Sequence, residues 1–378
     1  MYRVGLNGEK QLCKIYHILV EHARINHRRK TEGKYKLTET EINARNRRVE
    51  IIHSLLLVLT ALIWGGAFVA QSVGSGYLGP FTFLALRSWI GFLCLLPVLC
   101  LQKRLFGRDG RGSGEAAAEA NHGTVPDIRP EQTGRQEAET VKPGFSGRLA
   151  AAGSVCGLLL FLASAAQQAG IAWTTTAKSG FITALYVVIV PLLMIFLHKK
   201  PPARIWLCVV MGVCGLYLLC ITDQLSLGPG DSLTLLCALI FSFQILAVNH
   251  YTIRYPAIPL AAMEFLSESV LATVCMLLFE HPEAAAISAA LPAILYAGIL
   301  SSGVAYTLQI VAQRGLNPAV ASLIMCLESV FSALFGWLLL HQVLSLRELA
   351  GCALMFAAII FAQIPLPSCG KARRSRPR

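Results

Sequence analysis

Ten apolar stretches, each long enough to cross a lipid bilayer, limit what this chain can become more than any other feature of its sequence. They are centred on 51–71, 80–102, 149–171, 177–197, 205–221, 232–249, 260–279, 288–311, 319–340 and 348–366. A hydrocarbon core of about 30 Å, crossed at about 1.5 Å of helical rise per residue, needs about 20 apolar residues per span. Only 14% of the residues are charged and 55% are hydrophobic, whereas an average soluble domain carries about a quarter charged residues. The expected fold class is therefore an all-α membrane protein with ten transmembrane helices.

The net charge of +12 does not call for a nucleic-acid partner, because Lys and Arg gather at 3–48, 103–148 and 371–378, outside the apolar runs. With the N-terminal tail on the cytoplasmic side, the inward loops hold His198 to Arg204, Arg254 and Arg314, and the outward loops hold Asp223, Asp231, Glu280 and Glu283. That asymmetry follows the positive-inside rule, and an even number of spans returns the C-terminal tail to the cytoplasm. The expected location is the plasma membrane, multi-pass, with lipid as the surrounding partner. Residues 1–50 form a basic tail in which Leu12, Ile15, Tyr16, Leu19 and Val20 recur at helical spacing beside Lys14 and Arg24. That pattern fits a basic helix lying on the membrane surface, or an inert extension. Segment 103–148, with eight Lys or Arg against seven Asp or Glu and no apolar periodicity, reads as a disordered cytoplasmic insertion. Residues 367–378 are a second basic tail. The twelve Cys lie mostly within apolar runs as small packing residues, and the nine His show no ligand spacing, so neither a metal nor another cofactor is expected.

The chain also repeats itself. Ala61-Leu62-Ile63-Trp64 matches Ala238-Leu239-Ile240-Phe241 at an offset of 177, which sets Arg87 against Glu264. Farther on, Gln167 matches Gln309 and Ala177 matches Ala319 at an offset of 142. An insertion confined to the first half, such as 103–148, accounts for the drop. The halves are 51–221 and 231–366, each of five spans. Because five is odd, the second half enters the membrane in the opposite sense, giving two inverted-topology five-helix repeats. Two such bundles, related by an axis in the membrane plane, can rock about a central site and open it to either side in turn.

These residues resemble the drug/metabolite transporter superfamily, specifically EamA-type permeases. The likeness rests on Leu62-Ile63-Trp64-Gly65-Gly66-Ala67-Phe68 and Leu86-Arg87, then on 319–331 in the ninth span and Gly336-Trp337-Leu338-Leu339-Leu340 after it. Family members commonly have Glu-Pro where this chain has Glu328-Ser329, and Gly-Glu near His341-Gln342. The resemblance implies movement of amino acids, nucleosides, metabolites or drugs, without choosing among them.

An ionised side chain at mid-bilayer costs about 3 kcal/mol, so the few present should face the bundle interior and a partner. Glu328 lies ten positions into the ninth span and has Tyr186 as its repeat counterpart; Glu268 lies at similar depth in the seventh, with Glu264 one turn earlier on the same face. Glu328 and Glu268 are expected to line the cavity, one of them exchanging a proton. Arg87 is either a snorkelling or structural residue or a site for a substrate carboxylate, and a direct pair with Glu264 is not expected from their opposed depths. Trp64, Tyr186, Gln167, Gln309, Gln244 and Asn249 are recognition candidates, since an aromatic face with amide donors orients a polar solute. The competing reading for each is helix-to-helix bonding or packing. Gly65-Gly66 points to close helix contact.

The pattern reads as a secondary transporter working by alternating access on a small-molecule substrate, with protons as a candidate co-substrate. A homodimer is compatible with it. The chain carries no P-loop motif for nucleotide hydrolysis, and its histidines sit at loop edges rather than in an intramembrane catalytic cluster, so an enzyme is not expected. The alternative is a membrane scaffold or sensor acting through residues 1–50 and 103–148.

Overall fold

The computed structural model describes residues 39–106, 146–174, 176–198, 201, 203–220, 228–314, 316–340 and 345–363. The expectations for residues 12–20, for most of the 103–148 insertion, for His341-Gln342 and for the C-terminal tail lie outside these. Residues Met1–Val49 make up a separate unit, whose described part, 39–49, is helical. Everything below concerns the unit Glu50–Arg378.

The described residues form helices joined by short turns. In chain order they are α1 (Glu39–Ser75), α2 (Pro80–Phe106), α3 (Gly147–Ile171), α4 (Thr176–Thr183), α5 (Tyr186–Phe196), α6 (Ala203–Cys220), α7 (Pro229–Thr252) and α8 (Ala257–Phe279). Then come α9 (Ala284–Leu295), a π-helical stretch Tyr296–Ala305, α10 (Tyr306–Gln313), α11 (Pro318–Met325), α12 (Leu327–Leu340) and α13 (Leu346–Gln363). Among the described residues, eight segments are long and apolar enough to cross a membrane, and the shorter apolar helices Ala203–Gly215 and Leu349–Ala362 complete ten. Two spans are each built from two helices, α4 with α5 and α11 with α12; a third runs through α9, the π stretch and α10. Helix α2 continues to Phe106, four residues into the segment read as an insertion, and α3 begins at Gly147, where the Ser146 hydroxyl accepts the Leu149 N–H at 3.2 Å.

The distribution of polarity is that of a protein solvated by lipid. Leu55, Leu93, Leu158, Leu192, Leu239 and Leu277 point outward, while Arg87, Glu264, Glu268 and Glu328 are all at most 4% exposed. In water that arrangement would be costly on both counts; in a bilayer it is the expected one.

The second half repeats the first. Each half's second, fourth and fifth spans pack on their own counterparts: α2 on α8, α4 on α12, and α6 on α13. The third spans cross over, α3 onto α7 and α8, and the π stretch onto α2. The interruption of the fourth span also recurs in register. Val187 N–H bonds to the Ala184 carbonyl at 3.0 Å in the first half, and Ser329 N–H to the Cys326 carbonyl at 3.2 Å in the second, each atom 142 residues from its equivalent. A three-residue turn at the same place in both copies is what a duplicated sequence should produce, and it occurs without the Glu-Pro proline common in the family.

Small residues set the closest approaches, since interhelical packing in lipid depends on backbones drawing near one another. A Cβ on Gly65 would fall 2.5 Å from the Phe331 Cβ and 2.8 Å from the Ser332 nitrogen, and one on Gly66 would meet the Tyr296 hydroxyl. On the other side of the bundle, a Cβ on Gly91 would lie 2.6 Å from the Ser302 Cβ, and one on Gly298 2.7 Å from the Ile90 Cβ. The Gly65-Gly66 pair thus permits the close contact its sequence suggested.

Candidate functional site: a cavity on the repeat axis

The α4/α5 and α11/α12 breaks bring Tyr186 and Glu328 to the first residues after each turn. The Tyr186 hydroxyl donates to Glu328 Oε1 at 2.9 Å, and the two residues are 142 positions apart, the offset of the repeat itself. A residue that touches its own repeat counterpart lies on the axis relating the halves. Around this contact is a cavity whose walls carry further equivalent pairs: Trp64 with Phe241, Phe68 with Ile245, Gln167 with Gln309, and Thr183 with Met325. Gln167 and Gln309 are identical and Trp64 and Phe241 are both aromatic, whereas Phe68 is paired with Ile245 and Thr183 with Met325, so the cavity is symmetric in position and only partly so in chemistry.

Aromatic and amide groups define its interior. Trp64 and Tyr306 lie with ring centroids 4.7 Å apart, and Phe265 packs edge-on against Tyr306 at 5.6 Å. Gln167 Nε2 donates to the Thr183 hydroxyl at 3.3 Å, and Gln309 Nε2 to Gln244 Oε1 at 3.5 Å. Gln244 Nε2 in turn donates to Glu264 Oε1 at 2.8 Å, which connects Glu264 to the cavity wall through two amides. Among the described residues, Trp64 Nε1, Gln71 Oε1, Gln309 Oε1 and Arg87 Nε are buried without hydrogen-bond partners. All four belong to residues on the cavity wall, which gives the site both donors and acceptors for a polar solute.

The cavity is closed down. About 30 Å³ is open to the centres of water-sized spheres, room for about two waters. Sites for drug-sized ligands span about 300–1,000 Å³. A solute of metabolite size enters only if the helices around it move apart.

Of the residues singled out in the sequence, Trp64, Arg87, Gln167, Tyr186, Gln309 and Glu328 share this wall. Glu264 and Glu268 do not. They are buried on α8 behind it, Glu264 bonded to Gln244 and Glu268 within electrostatic reach of Arg87. Asn249 serves a structural end, donating to the Gln313 and Leu316 carbonyls at 3.2 and 3.4 Å where α10 gives way to α11. Sequence reasoning missed Gln71, Thr183, Phe241, Met325 and Tyr306. The repeat offsets already named Phe241 through Trp64; Met325 and Thr183 are each other's counterparts and could have been found together. Tyr306 has Ser164 as its equivalent, so no repeat signal marks it.

Among the described residues, eight helical segments long and apolar enough to cross a membrane and two shorter apolar ones, in two repeated halves with a cavity between them, have the architecture of a membrane transporter. Comparison with known proteins agrees. The EamA-like transporter family model matches residues 51–114 and 228–363, more than half the chain, and the chain belongs to that family. An uncharacterized transporter of Archaeoglobus fulgidus is 25% identical over 309 residues, covering 82% of this chain and 84% of the relative. A solved crystal structure shares the fold with a TM-score of 0.59 at 18% identity, covering 82% of this chain and 98% of that one.

Proposed function

We propose that this chain is a secondary transporter that carries a small polar metabolite across the plasma membrane by alternating access, without enzymatic activity, and with both termini cytoplasmic. The observation that carries the reading is the set of repeat-equivalent residues meeting around one cavity on the axis between the halves. Rocking of two like bundles about such a cavity exposes it to each side in turn, and the walls present aromatic faces, amides and one carboxyl to whatever enters. Trp64, Gln167, Gln309 and Tyr186 orient the solute, Glu328 binds its polar group through the oxygen not used by Tyr186, and proton exchange at a buried carboxyl supplies the energy. The concentration of Arg148, Arg204, Arg254 and Arg314 at one face, against Asp231, Glu280 and Glu283 at the other, supports the orientation.

The test compares cells expressing the wild type and Glu328→Gln at matched membrane levels, with small metabolites measured in cells and medium at two external pH values. A solute redistributed by the wild type alone identifies the substrate. No redistribution of any solute, with both proteins correctly inserted, counts against the proposal.

A further inference from the structure

Glu264 is a fully buried carboxyl that stands off the cavity wall. It is nevertheless joined to that wall by direct contacts. Its Oε1 accepts from Gln244 Nε2 at 2.8 Å, and Gln244 Oε1 accepts from Gln309 Nε2 at 3.5 Å. Gln309 lies on the wall, and its own Oε1 is buried without a hydrogen-bond partner among the described residues. All three side chains are at most 2% exposed, so the bonds within this short chain decide how each amide turns.

The order of atoms along the chain follows from its inner end. A primary amide has a donor end and an acceptor end of nearly the same shape, and its partners decide which way round it sits. A carboxylate has no donor. Gln244 must therefore turn its nitrogen toward Glu264, because the reverse would set two acceptors face to face in a buried place. Only a proton on Oε1 itself would reverse that order. The Gln244 oxygen is left for Gln309, which gives its nitrogen to it and keeps its own oxygen unpaired at the cavity wall. We propose that Glu264 is a positioning residue: acting through Gln244, it holds Gln309 with a carbonyl oxygen free for the substrate, which presents an N–H or O–H donor at that point. The inference rests on the transport reading above and specifies one feature of its substrate.

The repeat supplies a comparison within the same cavity. Gln309 has Gln167 as its counterpart, but at the offset of 177 Gln244 corresponds to Ala67 and Glu264 to Arg87. The amide and the carboxyl that orient Gln309 thus have no equivalents in the first half. Gln167 Nε2 donates instead to the Thr183 hydroxyl at 3.3 Å. A hydroxyl both donates and accepts, so it satisfies either end of the Gln167 amide. Two identical residues at equivalent places therefore differ in what they offer: Gln167 can turn to suit its guest, and Gln309 presents a fixed acceptor.

The test needs no substrate. The full-length protein in phospholipid vesicles, isotope-labelled at its glutamine side-chain amides, is examined by magic-angle-spinning NMR for through-space correlations between amide nitrogen and amide carbon, assigned with Gln244→Leu and Gln309→Leu. The expected wild-type signal joins the Gln309 nitrogen to the Gln244 carbon, without the converse signal from the Gln244 nitrogen to the Gln309 carbon. In Glu264→Gln, whose amide satisfies Gln244 either way round, both signals appear. The converse signal in the wild type, or neither signal, overturns the inference. So does a Glu264→Gln spectrum with the wild-type signal alone, provided that variant elutes and melts as a folded protein. A second labelling, at the glutamate carboxyl carbons, should join the Gln244 nitrogen to Glu264 in the wild type, and its absence overturns the inference whether or not the variant folds. A solute identified by the metabolite comparison that carries no N–H or O–H overturns the donor requirement while leaving the transporter intact. Redistribution of no solute sinks the transport reading without touching the NMR result.

Discussion

The contact between Tyr186 and Glu328 lends itself to a quantitative trial, because both partners are at most 4% exposed and the hydrogen bond is well formed at 2.9 Å. Replacing Tyr186 by Phe removes the donor and leaves the ring. If Glu328 is neutral, the lost bond is worth about 0.6 kcal/mol and at most about 1.7, the range for side-chain bonds between helices in membranes. If Glu328 is ionised, its bond is charge-assisted and worth about 1.5–3 kcal/mol. The single substitution also leaves an acceptor unpaired, so the coupling term is the cleaner quantity. We expect a double-mutant cycle of Tyr186→Phe, Glu328→Gln and the pair, measured by reversible unfolding in mixed micelles, to give a coupling of about 0.6–3 kcal/mol. Its position in that range reports the charge state of Glu328 in the resting protein. A coupling below about 0.3 kcal/mol, the usual scatter for independent sites, would refute the claim that these two residues meet on the axis.

Two further perturbations bear on packing and on the cavity. Gly65→Val should cost about 1–3 kcal/mol or more by overpacking, since the new Cβ would lie 2.5 Å from the Phe331 Cβ and 2.8 Å from backbone; a melting temperature unchanged within error would contradict the close approach of α1 and α12. Trp64→Ala and Gln309→Ala should abolish or strongly reduce transport of the solute found for the wild type while leaving insertion and oligomer profile as they were. Full transport by both variants would remove these residues from the binding site.

Much of the architecture was legible because two periodicities coincide: the bilayer fixes span length, and the duplication fixes offsets of 177 and 142. The offset paired Tyr186 with Glu328 before any geometry was known, and their meeting follows from the axis passing between the broken fourth spans. The sequence could not show why those spans break. Ala184-Leu185 and Cys326 contain neither proline nor glycine, and the turn arises where tertiary packing, including the Ser329 hydroxyl donating to the Gly180 carbonyl at 2.9 Å, replaces helical bonds. Depth along a helix was read from position in the span, which set Glu268 at the depth of Glu328 and Arg87 nearer the outer end of α2. Rotation about the helix was not, because α8 has scarcely any amphipathic bias from which to read which face Glu268 occupies. That Glu268 stands off the cavity wall thus needed coordinates.

The contacts between halves are also unevenly distributed across the membrane, and this bears on which way the closed cavity opens. At the face where α1 ends, two carboxylates tie the halves together. Glu280, at the end of α8, accepts from the Phe81 and Thr82 N–H groups at 2.9 and 2.7 Å and from the Thr82 hydroxyl at 2.6 Å, capping α2 of the other half. Asp231 accepts from the Thr174 hydroxyl at 2.7 Å and from the Gly228 N–H at 2.8 Å, so the residue that begins α7 also holds the loop after α3. A carboxylate at a helix N-terminus contributes about 0.5–2 kcal/mol. Two such ties can therefore shift an open-to-closed equilibrium by about 5- to 700-fold, taking tenfold per 1.4 kcal/mol. Under the proposed cycle both must break when the cavity opens at this face, whereas the Tyr186–Glu328 contact on the axis need not. We therefore expect Glu280→Gln combined with Thr174→Val to raise the rate at which a membrane-impermeant thiol reagent, applied from that face, labels a cysteine introduced by Gln71→Cys. The background should lack reactive native cysteines, and labelling from the opposite face should fall in step. If labelling from this face is unchanged while the doubly substituted protein remains folded, the two carboxylates are ordinary helix caps, and whatever keeps the cavity shut lies elsewhere.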